Sequence, residues 1–299
     1  MLQIIRINES GERLDRYLTG QLADCSRSYV QKLLTDGCVT LNGKPLKSSW
    51  KTLAGVDVQV DRPEPELSRI EPEDIPLDIV YEDQWLLVVN KPQGMVVHPA
   101  VGHHDGTLVN ALLKHCAGQL SDLNGIIRPG IVHRIDKDTS GLLLVVKDNR
   151  IHADMAEKIR NHEIKRVYQA VVHGRVEADQ GTINAPIGRD PRNRQRMAVV
   201  GEGKPSVTHF RVIKRYSGAT WLEACLESGR THQIRVHMQY IGHPLLGDPV
   251  YAGRRPDYAL AGQALHAGAL EFVHPATGRL LSLTCPLPGY FQALLEQLP

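Results

Sequence analysis

A chain of 299 residues can supply one large or two ordinary domains, each with a core of its own. Its 42% hydrophobic and 23% charged residues exclude a disordered or fibrous protein. Apolar runs all fall short of the roughly 18 residues of a spanning helix, Met1-Leu2-Gln3-Ile4-Ile5-Arg6 lacks the regions of a signal peptide, and five cysteines without CxxC spacing fit reduced thiols, so the expectation is a cytoplasmic protein with no membrane partner.

The net charge of +2 conceals an asymmetry along the chain. Arg13 to Lys51 carries seven Lys or Arg against three acids, whereas Asp61 to Asp83 carries nine acids against two arginines. A basic segment of this kind suggests a nucleic-acid face. Within it, Leu14, Leu18 and Leu22 stand four apart and predict a short helix. A second helix follows, with Ser26 or Ser28 as cap, Tyr29, Val30, Leu33 and Leu34 as its apolar stripe and Gly37 at its end. The period then becomes that of strands: Val39-Thr40-Leu41, the Asn42-Gly43 turn and Lys44-Pro45-Leu46 read as a hairpin, and Val56 to Val60 alternates. Arg16, Arg27, Lys32, Lys44, Lys47 and Lys51 are left on the polar side.

Residues 63–74, rich in proline and acids, read as a linker between a small module at 1–62 and a larger domain at 75–299. The larger domain opens with strand-like Ile79-Val80-Tyr81 and Trp85 to Val89, then a loop at Asn90-Lys91-Pro92-Gln93-Gly94. Thr107 to Ala117 predicts a helix ended by Gly118, Ile151 to Ile164 another, and Lys165 to Val172 a strand. Arg189 to Arg196 holds four arginines against one acid, too polar for core and suited to phosphate contact. Val207 to Ile213 and Trp221 to Leu226 alternate as strands, and Ile234, Met238 and Ile241 follow helical spacing until Gly242 and Pro244.

Two polar constellations break this regular pattern. Gly130-Ile131-Val132-His133-Arg134-Ile135-Asp136-Lys137-Asp138-Thr139-Ser140-Gly141 gathers a histidine, an arginine, two carboxylates and two hydroxyls ahead of the apolar run Leu142 to Val146. Ser228-Gly229-Arg230-Thr231-His232-Gln233-Ile234-Arg235 leaves a strand at a glycine. Binding and catalytic groups collect on loops held by rigid elements, although a side chain of this kind taken alone is more often a cap or a surface residue. His98, His103, His104 and Asp105 lack any recognised ligand spacing, so no metal is expected. A kinase reading fails because Ile135 interrupts His-Arg-Asp and no Asp-Phe-Gly exists. Nucleophile-elbow, Walker and dinucleotide fingerprints are absent too.

The stretch His133 to Gly141, with Arg166-Val167-Tyr168 and Gly229 to His237, resembles the RluA-type family of pseudouridine synthases. Asn90-Lys91-Pro92 and Pro244 to Tyr251 belong to the same likeness, which covers about Ile75 to the C-terminus. Gly11 to Val60 resembles the small RNA-binding module named after a protein of the small ribosomal subunit, and Ile75 to Asp83 with Met197-Ala198-Val199 resembles the D-type enzymes of the large subunit. The resemblance implies an α+β fold, with a mixed, mostly antiparallel sheet in the catalytic domain behind a small α/β RNA-binding module. It implies an isomerase without cofactor or metal that converts uridines in RNA, above all 23S rRNA or a pre-ribosomal particle, to pseudouridine. A monomer is expected. The rival readings are a synthase acting on tRNA, a catalytically silent RNA-binding assembly factor, and a hydrolytic glycosidase.

For particular residues the resemblance implies that Asp136 is the essential carboxylate, acting as nucleophile or base. Arg235 would be its bidentate partner, keeping it ionised and oriented. Tyr168 would lie against the flipped base and Arg134 would fill the space the base vacates. Substrate binding is expected from His133, Arg166, Arg230, Arg192, Arg194, Arg196, Lys32 and Lys44 as well, with Lys137, Asp138 and Thr139 in support.

Overall fold

The computed structural model describes residues 2–22, 27–61, 70–99, 103–123, 128–193, 196–256 and 258–299. They form two compact units, Met1–Arg69 and Ile70–Pro299. The candidate cap Ser26 and the side chains of Ser28 and Lys32 lie outside what is described, as do residues 63–69 of the expected linker. Residues 70–74 are bonded onto the second unit, where the Asn110 side chain donates to the Glu71 carbonyl at 2.9 Å and the Glu73 amide donates to the Asn110 carbonyl at 3.0 Å.

The first unit runs β1 (Leu2–Arg6), α1 (Leu14–Gln21), α2 (Arg27–Thr35), β2 (Val39–Leu41), β3 (Lys44–Pro45) and β4 (Asp57–Asp61). Its antiparallel sheet has the order β1-β4-β2-β3. Asn42 and Gly43 both adopt positive φ, 50° and 75°, as a two-residue hairpin turn requires. Leu14, Leu18, Leu22, Leu33, Val58 and Val60 make the core. The strand β1 has no counterpart in the sequence reading, because Leu2 and Ile4 face solvent and only Ile5 is buried, so no apolar alternation marks it.

Beneath the helices lies a buried carboxylate. Asp15 accepts from Arg13 Nε at 2.9 Å, Arg27 Nη2 at 2.8 Å and Gln31 Nε2 at 2.9 Å. Arg27, expected among the free basic residues, is thus committed to tying α2 to α1. The Arg13 hydrogen bond, opposed by burial and joined by those of Arg27 and Gln31, holds Asp15 well below the usual carboxylate range. A depressed folded value contributes stability that is complete above the unfolded value of about 3.9 and is lost as pH falls through the folded one. Asp15→Asn should therefore destabilise this unit by about 1–3 kcal/mol at neutral pH. In urea unfolding followed by Trp50 fluorescence, the gap to the wild type should narrow as the pH drops below about 4; a constant gap from pH 7 to 3 would contradict this role.

The second unit continues with β5 (Ile79–Glu82), β6 (Leu86–Lys91), α3 (Leu108–His115), β7 (Ser140–Val146), α4 (Asn149–Arg160), β8 (Lys165–His173), β9 (Gln180–Asn184), β10 (Ile187–Arg189) and β11 (Met197–Val199). It closes with β12 (Val207–Tyr216), β13 (Ala219–Leu226), α5 (Gln233–Tyr240), β14 (Leu265–Val273), β15 (Leu280–Thr284) and α6 (Gly289–Gln297). A mixed sheet runs β5-β6-β7-β14-β8-β13-β12-β9, with β15 also pairing β14, while β10 and β11 form a separate hairpin. Its pairs are antiparallel except β7 with β14. The fold is α+β.

Strand β7 is buried along its whole length. Leu143 and Val145 pack with Leu108 and Leu112 of α3 on one face, and Leu142, Leu144 and Val146 pack with Ile151 and Met155 of α4 on the other. Coverage on both faces explains its unbroken apolar run. Thr107 and Asp148 cap the two helices by accepting backbone N–H groups of their first turns. Helix α4 stops at Arg160, short of the expected Ile164, because His162 turns left-handed at φ 63°. Among the described residues, none of the helices is long and apolar enough to cross a membrane.

Candidate active site

The glycine-bracketed stretch is a loop folded back along the edge of β7. The Val146 amide donates to the Gly130 carbonyl at 2.8 Å, and the Leu144 amide donates to His133 Nε2 at 3.0 Å. Gly130 has φ +71°, and a Cβ there would sit 2.8 Å from the Val146 carbonyl. Gly141 has φ +109°, and a side chain there would run into the backbone of Ala267 on the parallel strand β14. Both ends of the loop therefore need glycine for conformation and for space.

Further tethers come from elsewhere in the unit. Lys91 Nζ, almost inaccessible, donates to the carbonyls of Pro92, Met95 and Lys137 at 2.8–2.9 Å. Burial pushes this amine down to about 7, against the charges of Asp138 and Asp136. Three carbonyl acceptors need three N–H groups, so the geometry is that of the ammonium. Gln93 Nε2 reaches the Asp138 carbonyl, Gln263 Nε2 reaches Thr139 Oγ1, and Ser140 Oγ bonds both His266 and the Tyr290 hydroxyl of α6. Thr139 and Asp138 thus shape the loop, while the Lys137 side chain is exposed.

The second constellation is the first turn of α5, a helix locked in place by polar contacts. Gln233 accepts from Ser228 Oγ and the Arg230 amide and donates to Val207 and Thr208, and His237 bonds Thr208 and the Ala185 carbonyl. That fixes Arg235, whose Nη1 donates to Asp136 Oδ2 at 2.9 Å. The expected bidentate grip on Asp136 is not what forms. Arg235 gives its fork to Asp248 instead, Nε to Oδ2 at 2.7 Å and Nη2 to Oδ1 at 2.9 Å, and reaches Asp136 through a single N–H contact. Asp248 is fully buried, and its Oδ1 also accepts the amides of Val250 and Tyr251. Burial opposes the charge on Arg235, but Asp248 and then Asp136 outweigh it and raise its pKa. The result is a cation held by one buried anion and aimed at a second, more accessible one.

Asp136 has another neighbour. His232, left-handed at φ 58°, places Nε2 3.9 Å from Asp136 Oδ1 and bonds the Tyr251 hydroxyl through Nδ1 at 2.9 Å. Tyr251 in turn accepts from the Met197 amide and lies under the guanidiniums of Arg235 and Arg196. Burial lowers the His232 pKa, with the Asp136 charge opposing, so the ring is held toward its neutral form.

A cavity of about 50 Å³ opens beside these groups. Ile135, Tyr168, Leu226 and Ile234 form its apolar walls, Asp136 and Arg235 its polar side, and Arg134, Arg166 and Arg230 its rim. Tyr168 is buried, and burial raises its phenol pKa so that the ring stays neutral. The Arg166 guanidinium occupies the space a side chain at Gly229 would fill, since a Cβ there would lie 2.8 Å from Nη1.

Not every residue singled out in the sequence joins this cluster. Arg196 reaches it only through Tyr251, Arg192 is exposed on the β10–β11 hairpin, and Arg194 lies outside the described residues. Lys44 is exposed on β3 in the first unit. Among the described residues, no group of three or more His, Cys, Asp or Glu could hold a metal ion. Conversely, Asp248, Tyr251 and His232 join the site without being expected there from the sequence. Gly247-Asp248-Pro249, a carboxylate enclosed by apolar neighbours, was the available signal.

Comparison with known proteins matches residues 85–240 to the RNA pseudouridylate synthase family and residues 12–58 to the S4 domain. An uncharacterised RNA pseudouridine synthase of Bacillus subtilis is 52% identical over 97% of this chain and 95% of its own length. The ribosomal large subunit pseudouridine synthase D of Zymomonas mobilis is 48% identical over 96% of this chain and 94% of its own. Among solved structures, human RNA pseudouridylate synthase domain containing 1 superimposes with a TM-score of 0.58 at 25% identity, covering 72% of this chain and 85% of that one.

Proposed function

The chain belongs to the RNA pseudouridylate synthase family, and on that premise we propose that it converts uridines of large-subunit ribosomal RNA to pseudouridine, with Asp136 as its catalytic carboxylate. The observation that carries this reading is the placement of Asp136 at the wall of the cavity, with Arg235 bonded to it and Tyr168 and Arg134 around the same space.

The chemistry follows from these groups. The bond from N1 of uracil to C1′ breaks, the base turns, and C5 bonds to C1′; the proton lost from C5 is balanced by the one gained at N1. Nothing is oxidised or consumed. Asp136 acts on the sugar as nucleophile or base, and Arg235 fixes its direction without being displaced, because Asp248 anchors the other side of the guanidinium. The cavity of about 50 Å³ admits little beyond water, so entry of a base requires movement at the rim. Arg134 and Arg230, both exposed, can move without breaking the core. Drawing a uridine out of its stack costs a few kcal/mol, which Arg134 in the vacated space and Tyr168 on the base, at about 1–3 kcal/mol of stacking, offset. The S4 domain supplies a separate RNA-binding surface.

Mapping pseudouridines in total RNA with and without the gene tests the substrate. Pseudouridines should vanish from a stem-loop of 23S rRNA and return when purified protein acts on that RNA. Loss confined to tRNA would replace the ribosomal substrate, and loss nowhere would overturn the reading.

A further inference from the structure

Beside the small cavity lies a larger cleft of about 750 Å³. Arg134, Arg166, Gly229 and Arg230 line both, so a chain entering one continues into the other. Arg128 and Arg160 complete its wall, the second from the last turn of α4. Five guanidiniums face this space, and among the described residues no Asp or Glu lines it.

Its interior holds polar atoms that the fold leaves unused. His98 and Arg166 are each 5% exposed, yet His98 Nδ1 and Arg166 Nε are buried without a partner. His133 Nδ1 is likewise inaccessible and unpartnered. Because His133 Nε2 accepts the Leu144 amide, a neutral ring carries its proton on Nδ1, which makes that atom a donor. Burial, and after it the Arg166 charge, pushes the ring down to about 3, so it is neutral. Buried donors without acceptors are costly and rare, at about 1–3 kcal/mol each. Two such N–H groups in a cleft rimmed by cations call for an anionic ligand rich in acceptor oxygens. Its size suits a nucleotide.

We infer that this cleft receives the nucleotide adjoining the target uridine, its phosphodiester oxygens accepting from the N–H groups of His133 and Arg166 while Arg128 and Arg160 close on it from outside. The inference rests on the proposed RNA isomerase reading and extends it to a second subsite, which fixes the register of the strand and so helps select which uridine reaches Asp136.

The test uses the full chain carrying Asp136→Asn, so that binding is read apart from chemistry, with an in vitro transcript of large-subunit ribosomal RNA as probe. Arg128 and Arg160 are exposed and can be removed without opening the core. Arg128→Ala/Arg160→Ala should weaken binding at least about tenfold and reduce the slope of log affinity against log salt by about two, one for each lost phosphate contact. Arg175→Ala/Arg279→Ala, the same charge removed elsewhere on the unit, should stay within about twofold. With Asp136 intact, the Arg128/Arg160 pair should raise KM and leave kcat within about twofold. Unchanged affinity, or an equal loss in the control, would overturn the subsite. Failure of the isomerase reading looks different: the wild type would release no C5 tritium from any RNA, whatever the cleft binds.

Discussion

Replacing Asp136 by asparagine is expected to abolish tritium release from RNA labelled at C5 of uridine, by at least about a thousandfold, which corresponds to about 4 kcal/mol of barrier. The side chains are nearly equal in volume, so shape is conserved; the loop is held by Lys91 and Gln93 through its backbone and by Gln263 through the Thr139 hydroxyl, not by the Asp136 carboxylate. Arg235 keeps its two bonds to Asp248 and is left paired. What disappears is the one carboxylate that meets both the cavity and the guanidinium. RNA affinity should stay within about threefold, since Asp136 repels rather than attracts phosphate. Equal release by a clean preparation of the variant would remove Asp136 from the chemistry and, with it, the role proposed for the loop.

The same residues explain why parts of this molecule could be read directly and others could not. Helices α1, α2 and α3 and the Asn42-Gly43 hairpin declare themselves through local signals, namely apolar spacing, a terminating glycine after α2 and α3, and a two-residue turn. Strand β14 does not, although it lies between β7 and β8 in the sheet. His266 and Gly268 interrupt its apolar pattern, and the pairing with β8 shifts register between Ala267 and Ala269. The interruptions have their own uses: His266 bonds Ser140, and the backbone at Ala267 fits against Gly141. A local reading of period sees only the damage to the alternation.

The site divides in the same way. Asp136, Tyr168, Arg235, Arg134 and Arg166 stand in three short motifs far apart in sequence, and the motifs mark them. The partners of those residues are fixed by tertiary packing. Arg235 could have given its fork to either carboxylate, and only the buried turn at Gly247-Asp248-Pro249, with the amides of Val250 and Tyr251 turned onto Asp248, decides the matter. Likewise, nothing in His133-Arg134 reveals that Nε2 of the histidine is consumed by Leu144 and that its other nitrogen is left buried without a partner.

Asp248→Asn should separate positioning from chemistry. The amide keeps one carbonyl oxygen for the amides of Val250 and Tyr251, but then its NH₂ faces the Nε–H of Arg235, donor against donor, in a site without water access. An unsatisfied charged donor at that depth costs about 2–4 kcal/mol, or about 5–10 °C in the melting temperature of a unit this size. Arg235 would relieve the clash by turning its fork toward Asp136, exchanging a single N–H contact for two and dragging the carboxylate from its set position. Misplacement of a reacting group by about 1 Å costs about a hundredfold in rate. At 20 °C, where the variant remains folded, kcat should fall by about that factor with KM for RNA unchanged, since Asp248 touches no face open to RNA. A lowered melting temperature with an undiminished kcat would show that Asp248 serves the fold alone and that Asp136 is positioned by its own loop.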